Sequence, residues 1–303
     1  MLETHFLRKL PDPIAPYGES WEIVDRPEAQ SMVIEGPYSG KCLHELWMHH
    51  RDEIFGTDVP QSTRFPLLIK ILDAKEDLSL QVHPPAQVAA QLGAEPKTEM
   101  WYIAHAEPGA RLVAGLKAGV SREQFAHSLS LGKVAELIHE IPVVTGDHFL
   151  IHSGRLHAIG AGLLIYEIQQ NSDSTYRVFD WNRVGLDGKP RDLHVDESMA
   201  SIDFEDIEPT LSPAKDHQLA HCEHFTVEKH QLAEGQKMGA ISADRFSILI
   251  IVSGNVQDEE DKTWSEGSIM LLTPGEQGPK ARGEVTLLRI DCGSKKLPTK
   301  PRD

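Results

Sequence analysis

Short apolar runs rich in Val, Ile, Leu and aromatic residues, each bounded by Gly, Pro or Asp, recur along most of the chain, and this punctuation predicts a mainly β fold. The runs are Phe65 to Leu72, Leu78 to His83, Met100 to Ala104, Arg111 to Gly115, His148 to His152, Leu163 to Gln169 and Thr175 to Asp180, followed by Phe225 to Leu232, Phe246 to Val252, Gly267 to Leu272 and Glu284 to Ile290. Helix-like spacing is limited to Ser121 to Leu129, with Ser121 as N-cap, and Lys133 to His139, which read together as a small helical insert near 121–140. Past Pro190 the chain turns polar and acidic, through Asp192, Asp196, Glu197, Asp203, Glu205, Asp206 and Glu208, and a domain boundary is placed there, giving units of 1–195 and 196–303. The stretch Gly146 to Gly154 has the same shape as Gly267 to Gly275, a strand held between equally spaced glycines. This weak repeat suggests two small barrels or sandwiches, a form that often holds a ligand in its mouth.

A chain of 303 residues with 40% hydrophobic and 25% charged residues can bury a real core. No stretch approaches the roughly 20 uninterrupted apolar residues of a membrane span, and Met1 to Pro16 lacks the apolar centre of a signal peptide, so a cytoplasmic location is expected. Cys42, Cys222 and Cys292 are distant and odd in number, the pattern of reduced thiols rather than of a disulfide framework. The net charge of -16 argues against nucleic acid and anionic membranes as partners. An anionic substrate would need Lys and Arg gathered locally against that field.

Three segments concentrate groups suited to a metal. In Leu80-Gln81-Val82-His83-Pro84-Pro85, strand alternation puts Gln81 and His83 on one face, although a histidine before two prolines is also a common strand-end residue. Lys97-Thr98-Glu99-Met100-Trp101-Tyr102 sets Lys97 and Glu99 on one face; an exposed ion pair is the ordinary reading, and the apolar run that follows favours a buried one. His157 lies in the turn-rich Ser153-Gly154-Arg155-Leu156-His157-Ala158-Ile159-Gly160, where a loop histidine is often incidental. Together Gln81, His83, Glu99 and His157 supply an amide oxygen, two imidazoles and a carboxylate, a donor set for a catalytic divalent cation with room for substrate. Farther on, Glu167 and Gln169 share a strand face, and Asn171-Ser172-Asp173-Ser174 reads as a turn before Arg177; a solvated hairpin would look the same.

In these segments, and in Gly18-Glu19-Ser20-Trp21-Glu22 and Leu68-Ile69-Lys70-Ile71-Leu72-Asp73-Ala74, the sequence resembles type I mannose-6-phosphate isomerase in its short bacterial form, over roughly Tyr17 to Arg183. The resemblance implies two cupin domains, jelly-roll-like β-barrels, with a small helical insert: a catalytic metal-binding domain over 1–195 and a degenerate second domain without a metal site. It implies one zinc ion per chain on Gln81, His83, Glu99 and His157, a set that other divalent metals also suit. Arg177 matches an active-site arginine, and Lys97, Glu167 and Asp173 match polar residues considered for proton transfer, of which Glu167 is the preferred base. The implied activity is interconversion of mannose 6-phosphate and fructose 6-phosphate through an enediol, with a small sugar phosphate as partner and a monomer or homodimer as the assembly. The rival readings are a sugar-binding or regulatory cupin and an iron-dependent cupin dioxygenase, because two histidines and a carboxylate also suit ferrous iron. Two positions depart from the family pattern: His152 replaces a usual proline, and Arg155 a common small polar residue. His152 is not expected to be a ligand, and Arg155 is open between phosphate affinity and substrate choice.

Overall fold

The computed structural model describes residues 17–184, 188–211 and 213–294. Met1 to Pro16, where the sequence shows no signal-peptide centre, and the basic segment Lys295 to Arg302 lie outside the described residues. Along the chain come β1 (Glu19–Ile23), the ribbon β2 (Asp25–Arg26) and β3 (Ala29–Gln30), helices α1 (Leu43–His49) and α2 (Arg51–Ile54), β4 (Leu67–Ala74), β5 (Leu80–Val82), α3 (Ala86–Leu92), β6 (Glu99–Ala106) and β7 (Arg111–Leu116). There follow α4 (Arg122–Ser130), β8 (Ile138–Pro142), β9 (His148–Ile151), β10 (His157–Ile159), β11 (Leu163–Gln170), β12 (Tyr176–Phe179) and α5 (Val195–Ser201). The last strands are β13 (Gln218–His221), β14 (Phe225–Leu232), β15 (Ser247–Gln257), β16 (Thr263–Ser265), β17 (Ile269–Leu272) and β18 (Lys280–Cys292). Each strand-length run of the sequence forms a strand, and the fold is mainly β, as expected.

Two compact units result, one of Tyr17–Ser20 with Lys70–Ser212, the other holding Trp21–Ile69 and the stretch 213–294. This division differs from the expected break at 195/196 in two ways. Residues past 195 stay with the first half, because α5 packs on β12 and β5 and the following strap bonds to the end of β7, Leu116 N donating to Asp206 O at 3.0 Å and Glu208 N to Leu116 O at 2.9 Å. Residues 21–69 join the C-terminal strands, because Phe55, Phe65 and Phe246 form one aromatic cluster with centroids 5.3–5.5 Å apart.

In the unit that carries the predicted ligands, one sheet runs β1-β4-β11-β6-β9 and the other β12-β5-β10-β7-β8. Residues directly opposite on paired strands share a face. Trp101, Phe149, Ile151, Leu112, Ala114 and Ile159 from the two sheets meet in one buried cluster, which is the interior between them. The outer face of the second sheet, with Leu80, Val82, Val113 and Ala158, is covered by Phe125 and Leu129 of α4, by Val134, and by Ile202 after α5. Ser121 caps α4 as predicted, accepting from Gln124 N at 3.2 Å while Gln124 Oε1 accepts from Ser121 N at 2.9 Å. The second predicted helix, Lys133 to His139, is instead one 3-10 turn, Val134–Glu136, running into β8. Gly132, at φ 66°, ends the helix, and pairing with β7 takes the residues that follow.

In the other unit, β13-β14-β18-β15-β16 form one sheet with β17 beside β15. Of the two Gly-to-Gly segments in the sequence, the first gives β9, paired with β6, and the second gives β17, paired with β15.

Candidate metal centre and active site

Strand register assembles the site. Gln81 on β5 lies opposite His157 on β10 and opposite Arg177 on β12, so all three share the inner face of their sheet. His83 follows two residues after Gln81, beyond the end of β5. On the facing sheet Glu99 lies opposite Gln169, and Trp101 opposite Glu167. His83, Glu99 and His157 are each 0% exposed, and one ligand-capable atom from each lies within 4.8 Å of the others. His83 Nε2 is 3.3 Å from Glu99 Oε2 and His157 Nε2 3.5 Å from Glu99 Oε1. Gln81 is half-buried.

The histidine orientations follow from their other nitrogens. His83 Nδ1 is 2.9 Å from Ser174 O, and His157 Nδ1 is 2.8 Å from Arg155 O. A carbonyl only accepts, so each Nδ1 carries the proton and each Nε2 presents a lone pair. Neither Nε2 has a hydrogen-bond partner. A buried polar atom left so costs about 1–3 kcal/mol, and two of them beside one carboxylate fit a cation that accepts all three donors. Burial, and then the neighbouring His83, push His157 down to about 3, which keeps it a neutral ligand at physiological pH. Burial opposes ionisation of Glu99, but the adjacent Lys97 ammonium holds the carboxyl well below its ordinary range.

Lys97 lies 2.7 Å from Glu99 Oε2 and 3.5 Å from Glu167 Oε1. Burial disfavours its charge, yet the carboxylates of Glu167 and Glu99 raise it above the ordinary lysine value, so it stays an ammonium. Glu167 is shifted upward, first by burial and then by the charge of Glu99, and its Oε2 accepts from Trp101 Nε1 at 3.0 Å. Arg177 sits half-buried on the ligand row; its Nη1 donates to Asp192 O at 2.8 Å and its Nε has no hydrogen-bond partner. Asp173, the fourth predicted catalytic residue, is exposed beyond the end of β11, whereas Lys97 and Glu167 are buried. His152 is also exposed and outside the ligand group.

One residue was not singled out as a site residue from sequence. Lys70, buried within the wholly buried β4, has Nζ 3.4 Å from Glu19 Oε2, and its charge acts on Glu167. The signal was a lysine between apolar neighbours, Ile69 and Ile71, in a buried strand, a placement that requires a partner.

Comparison with known proteins agrees with this arrangement. The catalytic-domain model of type I phosphomannose isomerase matches residues 6–97. Mannose-6-phosphate isomerase ManA of Bacillus subtilis is 36% identical over 277 residues, covering 85% of this chain and 84% of its own length. A crystal structure of the mannose 6-phosphate isomerase from Bacillus subtilis superposes with a TM-score of 0.81 at 31% identity, over 95% of this chain and 93% of that one. A mannose 6-phosphate isomerase bound with zinc and yttrium shares the fold at a TM-score of 0.75 and 17% identity, over 96% and 95% of the two chains. Buried donor set, two-sheet interior and similarity over most of the chain converge, and the chain belongs to the type I mannose-6-phosphate isomerase family of cupin fold.

Proposed function

We propose that the protein interconverts mannose 6-phosphate and fructose 6-phosphate at a single divalent cation held by His83, Glu99 and His157, with Gln81 as the fourth protein donor. The observation that carries this reading is the pairing of two orphaned histidine Nε2 atoms and a buried carboxylate with a second buried carboxylate, Glu167, a few ångströms away across Lys97. Zinc suits this nitrogen and oxygen donor set and, when bound, polarises adjacent sugar oxygens as a Lewis acid.

The chain's own groups account for proton movement. In the open-chain sugar, Glu167 takes the proton from C2 and returns it to C1, while a proton passes from O2 to O1; the intermediate is the enediol. A base is most effective when its pKa lies near the working pH, and the upward shift of Glu167 moves it in that direction. Lys97, held protonated, cannot serve as base and instead offsets the charge of two buried carboxylates. Arg177 offers its unpartnered Nε from the ligand row to the developing negative charge or to the phosphate, and Lys70 adds a second buried cation. This local cationic set answers the demand that an acidic protein makes on an anionic substrate. A dioxygenase would have no evident use for the Lys97–Glu167 pair, and a sugar-binding cupin would not need a base with a raised pKa.

The test is conversion of mannose 6-phosphate followed through a coupled assay for fructose 6-phosphate. Activity is expected to vanish on chelation and return with Zn2+, and Glu167→Gln is expected to lower kcat by about 10²–10⁴-fold with the metal still bound. Near-normal turnover in metal-loaded Glu167→Gln would remove Glu167 as the base.

A further inference from the structure

Arg155 stands where the family commonly has a small polar residue, and its side chain is fully engaged. Nε donates to Asp206 Oδ2 and Nη2 to Asp206 Oδ1, both at 2.8 Å, while Nη1 donates to Leu150 O at 2.9 Å. The guanidinium carbon lies 5.0 Å from the centroid of Phe149, and the side chains of Arg155 and Asp206 are only 17% and 14% exposed. A two-pronged pair of this kind fixes position as well as charge. An arginine so occupied is poorly placed to bind a phosphate.

The main chain of the same turn holds both histidine ligands. Arg155 O accepts from His157 Nδ1 at 2.8 Å, and Gly154 N donates to His83 O at 2.8 Å. The strap that carries Asp206 is tied to this turn and to β7: Asp203 N donates to Gly154 O at 2.8 Å, Leu116 N to Asp206 O at 3.0 Å, and Gly115 N to Leu156 O at 2.8 Å. Gly154 is in the left-handed region at φ 94°, and a Cβ there would come within 3.2 Å of Pro85 Cγ and 3.4 Å of Ser201 O, so the turn is closely seated between the two.

We infer that the Arg155–Asp206 pair is a positioning clamp for the metal centre, locking the 153–157 turn against the 203–208 strap so that one carbonyl orients His157 and one amide anchors the backbone of His83. The inference rests on the metal reading above. Groups that orient metal ligands commonly contribute about 10–100-fold to affinity when removed, and a clamp acting through the main chain belongs at the lower end, on the order of tenfold.

The test uses the full chain, stripped by chelation and titrated with Zn2+ against a chromogenic chelator, for Arg155→Met, Arg155→Lys, Asp206→Asn and the double variant Arg155→Met/Asp206→Asn. Near-UV circular dichroism checks that each is folded at the working temperature, and the lysine variant retains the charge if the methionine variant fails to fold. Either single loss is expected to weaken Zn2+ binding on the order of tenfold and speed its release. The double variant is expected to be no weaker than the singles, because a broken clamp cannot be broken twice, and Arg155→Lys is expected to fall between. With metal saturating, KM for mannose 6-phosphate is expected to stay at the wild-type value. Wild-type Zn2+ affinity with a raised KM would overturn the inference and make Arg155 a phosphate ligand; additive losses in the double variant would also overturn it. If the wild-type protein itself takes up no Zn2+, the metal reading fails first, and that measurement identifies which of the two has failed.

Discussion

Trp101 joins the two halves of the proposed chemistry at one side chain. Its indole Nε1 donates to Glu167 Oε2 at 3.0 Å, and its ring packs edge-on to His157 with centroids 5.5 Å apart. This polar use of Trp101 is invisible in sequence because Glu167 lies on another strand, in register through β11 and β6. Of the four proposed ligands, Gln81 and His83 stand two residues apart in one segment, so alternation predicts their common face; Glu99 and His157 lie on other strands, and the family resemblance placed them with the first two at one metal. Lys70 was hidden inside an apolar run, where pattern reading assigns everything to core. The Trp101 bond stabilises the ionised form of Glu167, so Trp101→Phe removes support for the anion and raises its pKa further. A hydrogen bond to a charged group contributes about 1.5 kcal/mol, so the acid limb of the kcat/KM profile is expected to move to higher pH by about one unit, with Zn2+ content unchanged. An acid limb that stays in place would detach Trp101, or Glu167, from proton transfer.

At the scale of elements, strands were read well and short helices poorly. A strand such as β14 announces itself by flanking polar residues and β-branched content, and its limits, Phe225–Leu232, coincide with those read from sequence. Helices α1, α2, α3 and α5 have seven residues or fewer, too short to establish a 3.6-residue period, and their stability comes from what they pack on. α4 was legible because its capping box is a local signal that does not depend on packing. Its buried Phe125 and Leu129 seal the outer face of the sheet whose inner face carries Gln81 and His157. Ser121→Ala is expected to cost about 1 kcal/mol in denaturant unfolding while leaving kcat unchanged, because the cap lies on the far side of the sheet from the ligands. A loss of kcat at unchanged stability would show that the insert reaches the site by some other route.

For the whole molecule, the division into units was not legible, because it depends on partners far apart in sequence. Phe55 meets Phe246, and Phe246 N donates to Phe55 O at 2.9 Å, a pairing that no local composition change marks. Each unit has a buried apolar cluster of its own, so each can melt as a cooperative body. His83, Glu99 and His157 all belong to the unit built on Lys70–Ser212. A ligand that binds only the folded form stabilises it by RT ln(1 + [L]/Kd), about 2.7 kcal/mol at a hundredfold excess over Kd. For a body of this size that corresponds to a rise of roughly 5–10 °C in its midpoint. Calorimetry of the chelator-stripped protein with added Zn2+ is therefore expected to raise one transition and leave the aromatic-cluster unit's transition in place wherever two are resolved. Glu99→Gln should abolish the rise, since it removes the carboxylate that both histidines face. A rise that survives Glu99→Gln would put the stabilising ion elsewhere on the chain, and a rise confined to the other transition would place it in the other unit.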